Sequence, residues 1–241
     1  MTRVLLLIAA LFGVVLAQSG AVLEAFVPAQ LPQTQMPNPI PKMMTTIPAN
    51  MSISGPCLPS LKGLKVPVDV SGAKPNPIVS KRIQAIVDAD QAARQGTLTA
   101  AEVTKDQKRR AALLPLIPQA VSSQDFASIA LVFQHGDCVP LLMLANRMAQ
   151  MAMQTAAPNA KYASESLDPK WLYAVTLDRA LMNSRRAQKF GSQYFAVNGE
   201  CLRVYVADPR TTDAERKSYH LLTLQEAFDD AKTYATPGCK P

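Results

Sequence analysis

The stretch SSQDFASIALVFQHG, residues 122–136, decides the fold. Ser122 with Asp125 is a helix opening, because a serine oxygen ahead of the first turn accepts from its free backbone N–H groups. The apolar residues that follow continue the helix to Gln134, and Gly136 closes it. The same punctuation recurs on both sides. Upstream, Ile83, Ile86 and Val87 share one face of a helix over 80–95 that Gly96 stops. Thr99 with Glu102 opens a second helix, which runs to about Leu114 before Pro115. Downstream, Pro140 stands at a favoured first-turn position and begins a fourth helix reaching Thr155. Asp168 with Pro169 caps a fifth, through Asn183. Thr212 with Glu215, and Thr223 with Glu226, start two more. One departure interrupts the pattern: residues 192–206 read as β around Asn198-Gly199, a strong short hairpin signal. The expected fold is mainly α, a bundle of about five to seven helices with one small β-hairpin near the C-terminal third.

Composition narrows the class. Of 241 residues, 48% are apolar and 18% charged, with a mean hydropathy of +0.03. That is too apolar for bulk disorder, and a single continuous apolar run, at the N-terminus, excludes a polytopic membrane protein. The formal net charge is +7, yet the basic residues are scattered. Lys105, Lys108, Arg109 and Arg110 form one cluster and Arg185, Arg186 and Lys189 another; each reads as a solvated helix face. No nucleic-acid partner is expected, since aromatics are only 6% and no binding motif surrounds the clusters. Two histidines in the whole chain leave little for a multi-histidine metal site, and no cofactor or metal is implied.

Arg3 followed by the apolar run Val4 to Leu16 has the form of a secretory signal peptide over 1–17, too short to span a bilayer comfortably. No membrane span is expected after its cleavage, and the destination is periplasmic or extracellular. Eleven of the 19 prolines fall in 18–77, so residues 18–78 read as a Pro-rich, largely irregular linker. The helical domain is assigned to 79–235 and a tail to 236–241. In an exported chain the four cysteines Cys57, Cys138, Cys201 and Cys239 imply two disulfides, with three possible pairings. Because Cys138 and Cys201 both fall beside polar motifs, the reading favours Cys138–Cys201 and Cys57–Cys239.

Those motifs supply the candidate site. His135 ends an apolar helix beside Asp137 and is readable as a helix-terminal histidine bonding to free carbonyls, or as a general base or ligand-binding imidazole. Asp178 shares a helix face with Trp171, Val175 and Met182, which drives its carboxylate inward and demands partners. Arg179 projects about 100° away from it. Gln188 and Gln193 flank Gly191; that amide pair either binds a ligand carbonyl or satisfies loop backbone. The candidate ligand-binding set is therefore His135, Asp137, Asp178, Arg179, Gln188, Gly191 and Gln193, with His135 and Asp178 as the catalytic candidates.

The ordered set of motifs resembles an uncharacterised bacterial family, domain of unknown function 6624, over roughly residues 80–232. The residues that carry the resemblance are Asp90-Gln-x-x-Arg94, Asp106-x-x-Arg109, Gln134 to Asp137, Asp178-Arg179, Gln188 to Gln193, and Arg216 leading to Leu221 and Leu224. Ser192 replaces the family's usual Thr, and His220 stands where a glycine is common. The resemblance implies a helical domain and carries no activity.

No G-x-S-x-G, H-E-x-x-H or G-x-x-x-x-G-K-[ST] occurs. The expected function is thus a non-enzymatic domain that binds a small molecule or a protein. The alternative is a hydrolase-like enzyme with His135 as general base and Asp178 or Asp137 orienting it.

Overall fold

The computed structural model describes residues 57–58, 61, 63–67, 69–96, 99–196, 200–234 and 239. The expected signal peptide, most of the Pro-rich segment, the Asn198-Gly199 turn and most of the C-terminal tail lie outside the described residues.

Seven α-helices and a two-stranded hairpin make up the described chain. In order they are α1 (Pro77–Ala93), α2 (Ala100–Leu113), α3 (Ser123–Phe133), α4 (Val139–Thr155), α5 (Pro169–Asn183), β1 (Tyr194–Phe195), β2 (Arg203–Val204), α6 (Asp213–Ser218) and α7 (Leu224–Thr233). The caps are those the sequence announces. Thr99, Ser122, Asp168, Thr212 and Thr223 each accept from first-turn backbone N–H groups. Only Thr223 forms a reciprocal box with its glutamate; at α2 the Glu102 carboxylate turns instead to Lys105 and Arg109. Two boundaries move. α1 begins at Pro77 with Asn76 as its cap, because proline is preorganised for a first turn and needs no donor there. After α2 the chain does not stop at Pro115 but continues as a 3-10 turn over Leu114–Gln119 that accommodates both Pro115 and Pro118.

α3 is the central helix. No residue from Phe126 to Phe133 exceeds 1% exposure, as expected of a helix that is apolar all round. It packs against α1, α4 and α5, and α4 packs against α5 in turn. Ser80 Oγ on α1 donates to the buried Asp125 carboxylate on α3 at 3.1 Å, fastening the two helices at one end. Most of the Met-rich α4 follows the ordinary core pattern: Met148 and Met151 are buried while Met143 faces out.

The described residues before α1 contain no α-helix or strand, but Leu58, Leu61, Leu64, Val66 and Val70 pack on the main core. This part of the linker is therefore a packed arm. The disulfides explain its position and correct the expected pairing. Cys57 is joined to Cys138, and Cys201 to Cys239. Cys138 stands at the N-cap position of α4 and is buried in the same core on which the arm packs. α7 packs on β2 and so returns the C-terminal cysteine to the hairpin. The first bond ties the arm to the helical core and the second ties the tail to the hairpin, and closeness to a motif in sequence says nothing about either.

In the hairpin, Tyr194 stands opposite Val204 and Phe195 opposite Arg203, antiparallel. At the turn between α6 and α7, His220 has a φ of 57°. This is the left-handed region where glycine is free and other residues are strained. Its Nδ1 pairs with Asp168 at the α5 cap.

Candidate functional site

The seven sequence-derived candidates separate into two groups. Asp178 is fully buried, as its helix face requires. Its Oδ1 accepts from the backbone N–H groups of Lys189 (2.8 Å) and Phe190 (2.9 Å), and its Oδ2 from that of Ser192 (2.9 Å). Burial pushes this carboxyl above its ordinary value, and the three N–H groups pull the other way. Gln188 is equally committed. Its Nε2 donates to the carbonyls of Gln193 and Tyr205, and its Oε1 accepts from the Gln193 N–H at 2.7 Å. Gly191, at φ +77°, lets this loop turn against Ala207; a Cβ here would sit 3.2 Å from the alanine's Cβ. Arg216 seals the same loop from α6, donating to Phe190 O (2.6 Å) and Thr211 O (2.9 Å). The polar atoms of Asp178 and Gln188 serve loop backbone and hold the α5–hairpin connection.

The second group converges on the C-terminal end of α3. His135 Nδ1 lies 2.8 Å from Asp90 Oδ2 on α1. The carboxylate on His135 is thus Asp90, neither Asp178 nor Asp137 as expected: Asp178 is enclosed by backbone N–H groups, and Asp137 is exposed. Asp90 is itself fully buried and also accepts from Arg94 at 3.0 Å. Arg94 continues to Asp106 on α2 at 2.6 Å, and Asp106 pairs with Arg109. Burial would push Asp90 up, but His135 and Arg94 outweigh it and hold the carboxyl below its ordinary value. Burial pulls the imidazole of His135 below its ordinary value, against the pull of Asp90. An ionised Asp90 accepting from Nδ1–H leaves the lone pair on Nε2. The ring is 9% exposed, and Nε2 has no hydrogen-bond partner among the described residues, nor is it sealed from solvent.

Two arginines hold the backbone that carries this imidazole. Arg110 Nη1 donates to His135 O at 3.2 Å, and Arg179 Nη1 to Gln134 O at 2.8 Å. Both take up carbonyls freed at the end of α3, where the helix dipole favours cations. Gln193 Oε1 accepts from Arg179 Nε at 2.9 Å and so orients the guanidinium. Burial lowers Arg110 and brings Arg179 down to about 10, which leaves both protonated at neutral pH, while Asp137 acts on each through space. Gly136 completes the turn; a Cβ there would press on the Leu141 side chain and lie 3.1 Å from Phe133 O, so Leu141 would have to move.

His135, Asp137, Arg179 and Gln193 are therefore brought together, whereas Asp178, Gln188 and Gly191 support them from the loop. In the sequence Asp90, Arg94 and Asp106 stand only among the motif residues, while Arg109, also a motif residue, and Arg110 read as part of a solvated face. Instead Arg109 is 14% exposed in its side chain and paired with Asp106 and Glu102. Arg110 is 5% exposed in its side chain, as is Asp106, while Lys105 and Lys108 do face out. The missed signal is the spacing Asp106, Arg110, Leu113, which sets acid, base and leucine on one face of α2.

What the fold and site define is a mainly α domain with a small hairpin and a buried His–Asp–Arg network at the end of its central helix. No family model, no curated protein and no solved structure matches the chain. Among the described residues, no helix is long and apolar enough to cross a membrane.

Proposed function

We propose that this is an exported bacterial protein whose helical domain binds a small molecule, or a short segment of another protein, at the His135 face without transforming it. The observation that carries this is the Asp90–His135 pair: Nδ1 is fixed at 2.8 Å and Nε2 is left without a partner among the described residues. An imidazole held in one tautomer beside oriented guanidinium groups is preorganised for a ligand. The two disulfides fit an oxidising destination outside the cytoplasm. Membership of the family named domain of unknown function 6624 is part of the proposal. Its support is that Asp90, Asp106, Gln134, Asp178, Gln193 and Arg216, drawn from the separate motifs, are all buried polar residues of one domain.

A second reading has one observation in its favour. A histidine oriented by a carboxylate is also the arrangement of a general base. The Ser192 hydroxyl is engaged by Gln193 and Cys138 is in a disulfide, so a hydrolase would act through a water activated by His135, with Asp90 as the orienting group.

The test is a thermal-shift screen of the oxidised full-length protein against metabolites and cell-wall fragments. A ligand should stabilise the protein, lose that effect in His135→Gln, and be recovered unchanged after incubation. Recovery of a hydrolysed product would favour the second reading. Stabilisation that survives in His135→Gln would remove both.

A further inference from the structure

We infer that the ligand of the His135 face presents one free carboxylate, held by Arg179 and Arg110 beside His135 Nε2. The inference rests on the binding reading above and adds the chemical class. It stands on the way the charges of the cluster are matched. Asp90 and Asp106 are matched by Arg94 and Arg109, and Glu102 by Lys105. Arg110 and Arg179 are left with backbone and amide acceptors: His135 O, Gln134 O and Gln193 Oε1. Among the described residues, the nearest carboxylate contact of Arg110 is Asp106 at 4.0 Å, already taken by Arg94 and Arg109. A desolvated guanidinium without a close anion is costly. The α3 C-terminus supplies only about half a negative charge.

Asp137 is the remaining counter-charge among the described residues. It is exposed and follows the histidine by two residues, acting on both arginines without a hydrogen bond to either among the described residues. Two cations facing one loosely held anion leave room for a single negative charge. That matches a carboxylate better than a phosphate dianion. A second sign of an incompletely satisfied site is the Nε of Arg94, on a side chain 8% exposed, which is buried with no acceptor. Guanidinium groups offer a carboxylate paired donors, and the neutral His135 adds Nε2 as an acceptor for a ligand N–H or O–H. Asp137 then acts as an internal competitor that an incoming carboxylate displaces.

The probes are N-acetylglycine, its isosteric amide N-acetylglycinamide, and inorganic phosphate. They are titrated into the oxidised full-length protein while the histidine ring signals are followed by NMR. Only His135 and His220 contribute ring signals, so the readout is simple. N-acetylglycine should move the His135 signals saturably, while the amide and phosphate leave them in place. Asp137→Asn, an exposed change that spares the fold, should tighten N-acetylglycine binding about two- to fivefold. Arg179→Gln should weaken it about tenfold or more. Equal binding of acid and amide at His135, or tightest binding of phosphate, would overturn the carboxylate while leaving the binding site standing. No movement of His135 by the acid, or unchanged affinity in Asp137→Asn, would also overturn it. If no compound of the wider screen reaches His135, the site itself falls.

Discussion

His135 Nδ1 and Asp90 Oδ2 meet at 2.8 Å across forty-five positions of sequence, joining the end of α3 to the last turns of α1. This contact turns a residue of α1 and one just past the end of α3, each ordinary alone, into an oriented pair.

The pair gives stability a definite pH dependence. Folding holds His135 below its ordinary value, so the unfolded chain binds the proton first as pH falls. The contribution is fully present above the unfolded value, about 6.5, and is lost as pH drops through the lower folded value. Asp90, also held below its ordinary value, adds a loss of the same sign at lower pH. Urea unfolding between pH 8 and 5 should show declining stability in the native protein. His135→Gln should flatten the part of that decline nearest neutrality; an unchanged slope would show that His135 is not its source.

Asp178→Asn tests the lock on the hairpin. An asparagine oxygen can still accept from Lys189 and Phe190, but its NH2 group would face the Ser192 N–H, donor against donor. The expected loss is about 1–3 kcal/mol, read from denaturant midpoints.

Gly191→Ala meets two obstacles in one place. The φ of +77° disfavours any side chain, and the new Cβ lies 3.2 Å from the Cβ of Ala207 and 3.5 Å from Arg216 Nη2. A destabilisation of about 1–3 kcal/mol is expected, with broadened hairpin signals in NMR spectra. Stability equal to the native protein would contradict the turn geometry.

The disulfide pairing is open to direct chemistry. Non-reducing digestion and mass spectrometry should yield Cys57 linked to Cys138 and Cys201 linked to Cys239; a Cys138–Cys201 peptide would refute it. Replacing both Cys57 and Cys138 by serine releases a closure of 81 residues. The loop-entropy argument puts the loss at up to about 4.5 kcal/mol.

Much of this was legible in the order of residues. Caps such as Thr99, Ser122 and Asp168 act within one turn of chain, so short-range chemistry fixed where the helices start. Asp178 could be sent inward by its spacing from Trp171 and Val175, because a helix places such neighbours on one face. The 3-10 turn through Pro115 and Pro118 escaped, since proline forbids continuation of an α-helix without dictating what replaces it.

By itself, the sequence determined the helical class, the caps, the hairpin and the apolar identity of α3, all set by interactions over a few residues. Only the tertiary structure decided that Asp90 is the partner of His135, that Arg110 turns inward, that Gln188 serves backbone, and that Cys57 reaches Cys138. Each of these depends on helices separated in sequence being brought together by burial of their apolar faces. That driving force is non-directional, so it leaves no local mark on the residues whose polar groups it makes neighbours.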